Sequence, residues 1–317
     1  MLSALLAKVK IMKTRVAFFG SPAFALPVIE AIRAQFEVVL VVTQPSKPAG
    51  RGLKLTPPAV AARALELGLK LEQPEKLRKN QAFADVLREC GADVAVTCAY
   101  GKILPASLLE IPKYGFLNVH TSLLPKYRGA APIQWAILNG ETQTGVTIMK
   151  TDVGMDTGDI ALFGSLEIGA LETSLELAPR LSALGADLIV QALNNLERLT
   201  FTPQNHDLAT HARMLKKEDG RIDYQKNTVS SFNQFRALAG WPGSFTVING
   251  KLLKVHSMRL SSGSGKAGEI LRFESGVVVA TLYGALEFLE VQPEGKPKIN
   301  ALEWAKGYQI KIGTMFS

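Results

Sequence analysis

The feature that most limits the fold of this chain is a series of short, continuously apolar segments separated by helix-like patterns. Four such segments occur: RVAFFG (15–20), EVVLVVT (37–43), DVAVTCAY (93–100) and GFLNVH (115–120). A strand without polar alternation is buried on both faces, as in a parallel sheet covered by helices. Helical patterns lie between the segments, including 57–68 and 75–89. The first two hundred residues therefore predict a doubly wound, Rossmann-like α/β domain.

Two further strand-like segments follow, TGVTIMKTD (144–152) and DIALFGSLEI (159–168). The short loop VGMDTG joins them, which favours an antiparallel pair. A long helical pattern from about residue 172 to residue 199 then ends the α/β region.

The remaining third of the chain has a different pattern. FTPQNHD (201–207) interrupts the alternation and is typical of a linker. After one helical pattern at about 228–239, short alternating strands are separated by turn residues such as Asn249-Gly250 and Ser275-Gly276. This pattern predicts a small antiparallel β-barrel of the OB-like type. We thus predict a disordered N-terminal extension over 1–12, an α/β domain over 13–200, a linker over 201–215 and a barrel domain over 216–317.

Charge and cysteine content narrow the possible partners. The net charge of +8 suggests a polyanionic partner, although an ordinary basic protein explains it equally well. Two cysteines without a paired spacing argue against a disulfide framework and favour a reduced, cytoplasmic location. Four histidines without ligand spacing argue against a metal. We find neither an apolar run of membrane-spanning length nor a secretory signal.

The strand GFLNVH ends with two polar side chains, Asn118 and His120. Alternation along a strand puts both on one face, at the carboxyl end where α/β sheets bind ligands. A carboxamide beside an imidazole can hold a carbonyl oxygen and stabilise the negative charge that develops on it. For an isolated Asn-x-His we would favour a strand end that is merely polar, so the neighbouring residues decide the interpretation.

Two neighbouring features favour a functional site. Leu123, Leu124 and Pro125 form an apolar, stiffened ledge suited to a flat heterocycle. Asp156 lies in the glycine-rich loop DVGMDTGD (152–159), which lacks the ligand order of a calcium loop but could be a solvated hairpin. In the functional interpretation, the Asp156 carboxylate faces the imidazole, orients it and helps to move a proton.

These motifs together resemble the formyltransferases that use 10-formyltetrahydrofolate. The likeness is carried by the Asn-x-His pair, by SLLPKYRGAAPIQ (122–134) and by DVGMDTGD (152–159). It implies that Asn118 and His120 hold the formyl oxygen and that Asp156 sets up the histidine. It also implies that the folate co-substrate is bordered by four residues, Ser122, Leu123, Leu124 and Pro125. No metal is implied.

Within this family, three features resemble the branch that acts on initiator methionyl-tRNA. The loop VTQPSKPAGRGLKLTPPAV (42–60) carries Lys47, Arg51 and Lys54 without an acid, and its prolines and glycines predict irregular structure. The likeness implies that this loop contacts the tRNA. RGAAPIQ (128–134) and three C-terminal segments, KKEDGRIDY, FRALAGWPGSF and LEVQPEGKPKINALEW, complete the resemblance. Tyr224 departs from it, because we expect a tryptophan there.

Other functions stay open on the sequence alone. An amino-sugar nucleotide formyltransferase would use the same folate donor, but the basic loop and RGAAPIQ disfavour it. A dinucleotide-dependent oxidoreductase is disfavoured because the first turn reads FGSPAF and not GxGxxG. A non-catalytic RNA-binding protein would require the Asn118, His120 and Asp156 set to be coincidental, and a solvated surface loop would explain the basic segment. Nothing in the sequence requires more than a monomer.

Overall fold

The computed structural model describes residues 13–49 and 54–317, so the predicted extension over 1–12 lies outside the described residues. The strands are β1 (Arg15–Gly20), β2 (Glu37–Val42), β3 (Lys47–Ala49), β4 (Lys54–Thr56), β5 (Leu71–Glu72), β6 (Val94–Cys98), β7 (Phe116–His120), β8 (Arg128–Gly129), β9 (Gln143–Lys150), β10 (Ile160–Glu167), β11 (His211–Ala212), β12 (Ser244–Ile248), β13 (Lys251–Ser261), β14 (Ile270–Phe273), β15 (Val277–Ala280), β16 (Ala285–Pro293) and β17 (Ile299–Asn300). The α-helices are α1 (Leu26–Gln35), α2 (Ala59–Glu66), α3 (Gln81–Glu89), α4 (Ala106–Leu109), α5 (Pro132–Leu138), α6 (Ser174–Asn194), α7 (Thr228–Ala237) and α8 (Ala301–Gly307).

The described part of the chain contains a seven-stranded sheet in the order β10-β9-β7-β6-β1-β2-β5. The strands from β5 to β7 run parallel, as their continuous apolar sequences predicted. The strand order reverses between β1 and β6, and ligands of such sheets bind beyond the carboxyl ends of the strands near this reversal. The predicted Rossmann-like α/β architecture is confirmed.

The predicted antiparallel pair forms the other edge of this sheet. β9 runs antiparallel to β7, with Thr147 opposite His120. β10 lies beside β9, and backbone hydrogen bonds at the two ends of the pair, Lys150 to Asp159 and Ile168 to Thr142, are each 2.9 Å long. The loop between the two strands thus starts and ends beside the amino end of β7, where the Thr151 amide donates to the Phe116 carbonyl oxygen at 2.8 Å.

Two local predictions were wrong. The predicted helix over 75–89 begins only at Gln81, because the Asn80 side chain caps it by accepting a hydrogen bond from the Phe83 amide. The loop over 42–60 is not irregular throughout, because β3 and β4 pair as a short antiparallel hairpin. Pro48 is tolerated there because a two-stranded ribbon leaves backbone donors unpaired on its outer sides.

The C-terminal part forms an antiparallel sheet in the order β12-β13-β16-β15-β14, with β17 added to β16. The last residues of the chain join its two edges. Val247 of β12 and Ser317 exchange backbone hydrogen bonds of 3.0 and 2.9 Å, and the Phe316 amide donates to Gly268 at 2.8 Å, just before β14. The sheet is therefore closed into a ring, and the predicted barrel is confirmed.

The chain divides into two compact units, each formed from several stretches of sequence. The first contains the described residues up to Pro125, Val146–Gly164 and Leu181–Asp207, and the second contains Lys126–Gly145, Ser165–Arg180 and Leu208–Ser317. Each unit has its own apolar core. The domain boundaries drawn from the sequence stay a prediction.

Candidate active site

Three polar side chains converge at the carboxyl end of β7, all within the first unit. Asn118 Nδ2 donates a hydrogen bond to Asp156 Oδ1 at 3.3 Å. His120 Nδ1 lies 3.6 Å from the same oxygen, which is within ion-pair range but longer than a hydrogen bond. The His120 side chain is only 6% exposed. Asn118 and His120 therefore share one face of β7, as alternation along a strand requires, and one carboxylate oxygen faces both.

The orientation of the Asn118 amide is determined by the neighbouring strand. Thr97 of β6 donates its hydroxyl hydrogen to Asn118 Oδ1 at 2.8 Å. Because the amide oxygen accepts this bond, the amide nitrogen is turned toward Asp156. Thr97 and Asn118 are brought together by parallel pairing of β6 with β7, in which they lie directly opposite each other.

The loop that carries Asp156 is held by its own side chains. Thr157 Oγ1 donates to the Asp152 carboxylate at 2.8 Å, and the Gly154 amide donates to Asp152 Oδ1 at 3.0 Å. Asp156 has a φ angle of 54°, a left-handed conformation that Asp adopts more readily than most residues. A Cβ at Gly158 would lie 1.9 Å from the Lys150 carbonyl oxygen, so this position accepts only glycine.

The segment after β7, predicted to border the folate, is anchored by Thr147 of β9. The Thr147 hydroxyl donates to the Ser122 carbonyl oxygen at 2.7 Å and accepts from the Leu124 amide at 3.2 Å. Ser122 and Leu124 are buried, whereas Leu123 and Pro125 are partly exposed. The apolar surface available to a ligand is therefore supplied by Leu123 and Pro125, and Leu124 belongs to the core.

This arrangement can perform acyl-transfer chemistry. An amide donor and an imidazole lie on one strand face, and donors in such a position stabilise negative charge on a carbonyl oxygen. A carboxylate beside the imidazole can orient it and assist proton movement. The described residues contain no group of three or more His, Cys, Asp or Glu side chains placed to bind a metal.

Comparison with known proteins identifies the family. The formyl transferase family model matches residues 12–193, and the model for the formyl transferase C-terminal domain matches residues 214–309. The methionyl-tRNA formyltransferase of Deinococcus radiodurans is 56% identical over 303 residues, which cover 95% of each chain. The chain belongs to the methionyl-tRNA formyltransferase family. The enzyme class predicted from the sequence is confirmed.

Other relatives agree with this assignment. The methionyl-tRNA formyltransferase of Thermus thermophilus is 45% identical over 301 residues, covering 95% of this chain and 98% of that one. Among solved structures, an N-formyltransferase from Helicobacter canadensis in complex with folinic acid and dTDP-3-aminofucose has a TM-score of 0.65. It is 20% identical and covers 88% of this chain and 99% of its own, so it supports the fold alone.

In this member of the methionyl-tRNA formyltransferase family, two of the three predicted tRNA-contacting residues, Lys47 and Lys54, lie on the β3–β4 hairpin. Lys47 is exposed, and its Nζ lies 3.5 Å from Gln44 Oε1. Lys54 is the first residue of β4. Arg51 lies outside the described residues.

Sequence reasoning missed three residues that hold the site in this formyltransferase: Thr97, Thr147 and Gln204. Gln204, in the predicted linker, donates hydrogen bonds to the backbone of the Asp156 loop. Thr97 and Thr147 are buried threonines at strand positions, and threonine is common in strands for conformational reasons alone. Only the strand pairing shows which polar groups they meet.

Proposed function

We propose that this protein transfers the formyl group of 10-formyltetrahydrofolate to the α-amine of methionyl initiator tRNA, with Asn118, His120 and Asp156 as its catalytic residues. One observation carries the residue assignment. Asn118 Nδ2 and His120 Nδ1 both face Asp156 Oδ1 at the carboxyl end of β7, at 3.3 and 3.6 Å. The acceptor is inferred from the methionyl-tRNA formyltransferases that resemble the chain over 95% of its length.

Asn118 binds the formyl oxygen in this proposal. Its Nδ2 carries two hydrogens, of which Asp156 Oδ1 accepts one, and we assign the second to the formyl oxygen. Thr97 prevents the amide from turning its oxygen toward that position, because the Thr97 hydroxyl already donates to Asn118 Oδ1. Removing one such donor costs roughly 2.7 to 4 kcal/mol of transition-state stabilisation.

His120 and Asp156 move the proton. The folate co-substrate supplies the formyl group as an amide on its N10 nitrogen. The α-amine attacks the formyl carbon, the bond from that carbon to N10 breaks, and one proton must leave the amine while one reaches N10. His120 stabilises the developing negative charge together with Asn118, and Asp156 supports the imidazole during the proton transfer.

The segment Ser122–Pro125 fits the folate. Leu123 and Pro125, which follow His120 in the sequence, present partly exposed apolar surface, which suits the flat face of a pterin. The Thr147 hydroxyl forms hydrogen bonds with the Ser122 carbonyl oxygen and the Leu124 amide, so the segment is fixed before a ligand binds. A preformed site of this kind loses little entropy on binding.

The β3–β4 hairpin and the second unit bind the tRNA in this proposal. Lys47 and Lys54 lie in β3 and β4, on either side of Arg51 in the sequence, and cationic side chains of this kind gain affinity for phosphates by releasing counterions. We further infer that the protein acts as a cytoplasmic monomer. None of the helices in the described part of the chain has the length and apolar character needed to cross a membrane.

The test is a formylation assay that compares initiator methionyl-tRNA, elongator methionyl-tRNA and an amino-sugar nucleotide as acceptors. We expect strong transfer to the initiator alone, and a fall in kcat of about 10² to 10³ for Asn118→Ala. His256→Ala is a control for kcat alone, because this histidine contacts Gln292 in the barrel and is not one of the proposed catalytic residues. Transfer to the amino sugar and not to tRNA would refute methionyl-tRNA as the acceptor. A normal kcat for Asn118→Ala would refute the proposed catalytic site. Analytical ultracentrifugation tests whether the protein is a monomer in solution.

A further inference from the structure

The Gln204 side chain links the segment predicted as a linker to the backbone of the Asp156 loop. Its Nε2 donates hydrogen bonds to the Asp156 carbonyl oxygen at 3.0 Å and to the Gly158 carbonyl oxygen at 2.7 Å. The side chain is only 5% exposed. A buried amide that supplies both of its hydrogens to two carbonyls of one loop fixes the spacing of those carbonyls.

Backbone pairing fixes Gln204 in this position. Thr202 and Ile160 exchange two backbone hydrogen bonds of 2.8 Å each, so the segment lies as an extra edge along the start of β10. Gln204 follows two residues later, and residues two apart in an extended segment point to the same side. The backbone pairing of Thr202 with Ile160 therefore fixes the position from which the Gln204 side chain extends to the loop.

The Asp156 loop needs support at this point. The left-handed φ of Asp156 is uncommon for a residue other than glycine, so surrounding contacts must hold it. The Gly154 amide and the Thr157 hydroxyl, on either side of Asp156, donate hydrogen bonds to the Asp152 carboxylate and tie the loop to its first residue. The Gln204 amide holds the carbonyl groups of Asp156 and Gly158, and the orientation of the Asp156 peptide group also sets the direction of its carboxylate.

We propose that Gln204 is a positioning residue for formyl transfer, which holds the Asp156 carboxylate against Asn118 and His120 through the loop backbone. This inference rests on the proposed function, because it gives Gln204 an effect on catalysis only if Asp156 has one. It also gives the segment predicted as a linker a role in catalysis, because Gln204 lies in that segment.

The primary test is Gln204→Met, which keeps the length of the side chain and removes both donors. We expect kcat at saturating substrates to fall about 10-fold to 100-fold, because small displacements of a catalytic group have effects of this size. The KM for 10-formyltetrahydrofolate should change less than about threefold, because the side chain does not belong to the folate surface. Gln204→Ala serves as the second variant if Gln204→Met does not fold.

Gln234→Met is a matched control. In the second unit, Gln234 Nε2 also donates to two backbone carbonyls, those of Asp219 at 2.6 Å and Arg221 at 2.7 Å, and its side chain is similarly buried. Both variants should lower the melting temperature measured by calorimetry, but only Gln204→Met should lower kcat. An equal loss of kcat in the two variants, or a kcat of Gln204→Met within about twofold of the unmodified protein, overturns the proposal.

A double-mutant cycle with Asp156→Asn completes the test. If Gln204 acts through Asp156, adding Gln204→Met to Asp156→Asn should lower kcat little further, because residues that act as a unit are not additive. Independent, multiplying losses overturn the positioning role. The two ways of failing can be distinguished. If the proposed role of Asp156 is wrong, Asp156→Asn alone keeps normal activity. If only the role of Gln204 is wrong, Asp156→Asn is impaired and Gln204→Met is normal.

Discussion

Tyr100, which follows β6, carries a hydroxyl group that is buried in the core of the first unit. The ring packs edge-on against Phe19, with 5.5 Å between centroids. The hydroxyl oxygen has no hydrogen-bond partner among the residues that the structure describes. Burial raises the pKa of this phenol to about 12, because the interior disfavours the charged form. The folded state therefore keeps the proton in a pH range where the unfolded chain has begun to lose it.

We predict that Tyr100→Phe leaves stability at neutral pH unchanged or raises it by about 1 kcal/mol, since it removes an unpaired buried polar group. The contribution of the neutral phenol is fully present below the unfolded pKa of about 10 and is lost as pH rises toward about 12. Tyr100→Phe should therefore lose less stability than the unmodified protein across this range. Urea unfolding at several pH values measures the free energy of unfolding of both proteins. Tyr283→Phe, at an exposed tyrosine, is the control. A loss above about 1 kcal/mol at neutral pH would contradict the unpaired hydroxyl.

The residues around the site show what a sequence can predict at this scale. Asn118 and His120 could be placed on one face because alternation is a local property of a strand. The structure brings Asp156 to them, while its catalytic role stays a proposal. Thr97 and Gln204 could not be predicted, because their roles depend on which strands are neighbours. Thr97 meets Asn118 through β6–β7 pairing, and Gln204 reaches the loop through the Thr202–Ile160 bridge.

At the scale of elements, the buried strands were the most predictable feature and short irregular segments the least. A strand with both faces covered must be apolar throughout, so its sequence identifies it. The start of α3 depended on a single cap, Asn80, which competed with a helical pattern beginning earlier. The β3–β4 hairpin has three residues in each strand, too few for a recognisable alternation.

Close packing of α6 against β7 depends on Gly185. A Cβ at this position would lie 2.7 Å from Val119 Cγ1, and the branched Val119 side chain cannot easily turn away. We predict that Gly185→Ala destabilises the protein by about 1 to 3 kcal/mol, because overpacking outweighs the better helix propensity of alanine. Since Val119 precedes His120, kcat should fall as well.

Chemical denaturation and the formylation assay measure both effects of Gly185→Ala. Adding Val119→Ala removes the methyl group that the new Cβ meets, so the double variant should recover part of the loss. Gly307→Ala, in α8, is the control, because nothing lies within 4 Å of the Cβ it would add. A Gly185→Ala protein as stable as the unmodified one would show that α6 can move away from β7.

At the scale of the whole molecule, the chain forms two units with separate cores, and the second core is completed by the end of the chain. Phe316 is buried, stacks on Trp304 with ring centroids 6.2 Å apart, and packs beside Tyr224 at 6.1 Å. Its neighbour Ser317 bonds to Val247 of β12. The same few residues thus fill the core and join the edges of the barrel.

We predict that Phe316→Ala lowers the free energy of unfolding of the second unit by about 3 to 5 kcal/mol, the usual cost of removing a buried phenylalanine side chain. Calorimetry measures this loss. Ile312→Ala, at a side chain that is 61% exposed, should change stability by less than about 0.5 kcal/mol. If the second unit binds tRNA, Phe316→Ala should raise the KM for methionyl-tRNA, whereas the KM for 10-formyltetrahydrofolate should stay the same because the proposed folate surface belongs to the first unit. A parallel rise in both KM values would show that the barrel also supports the folate site.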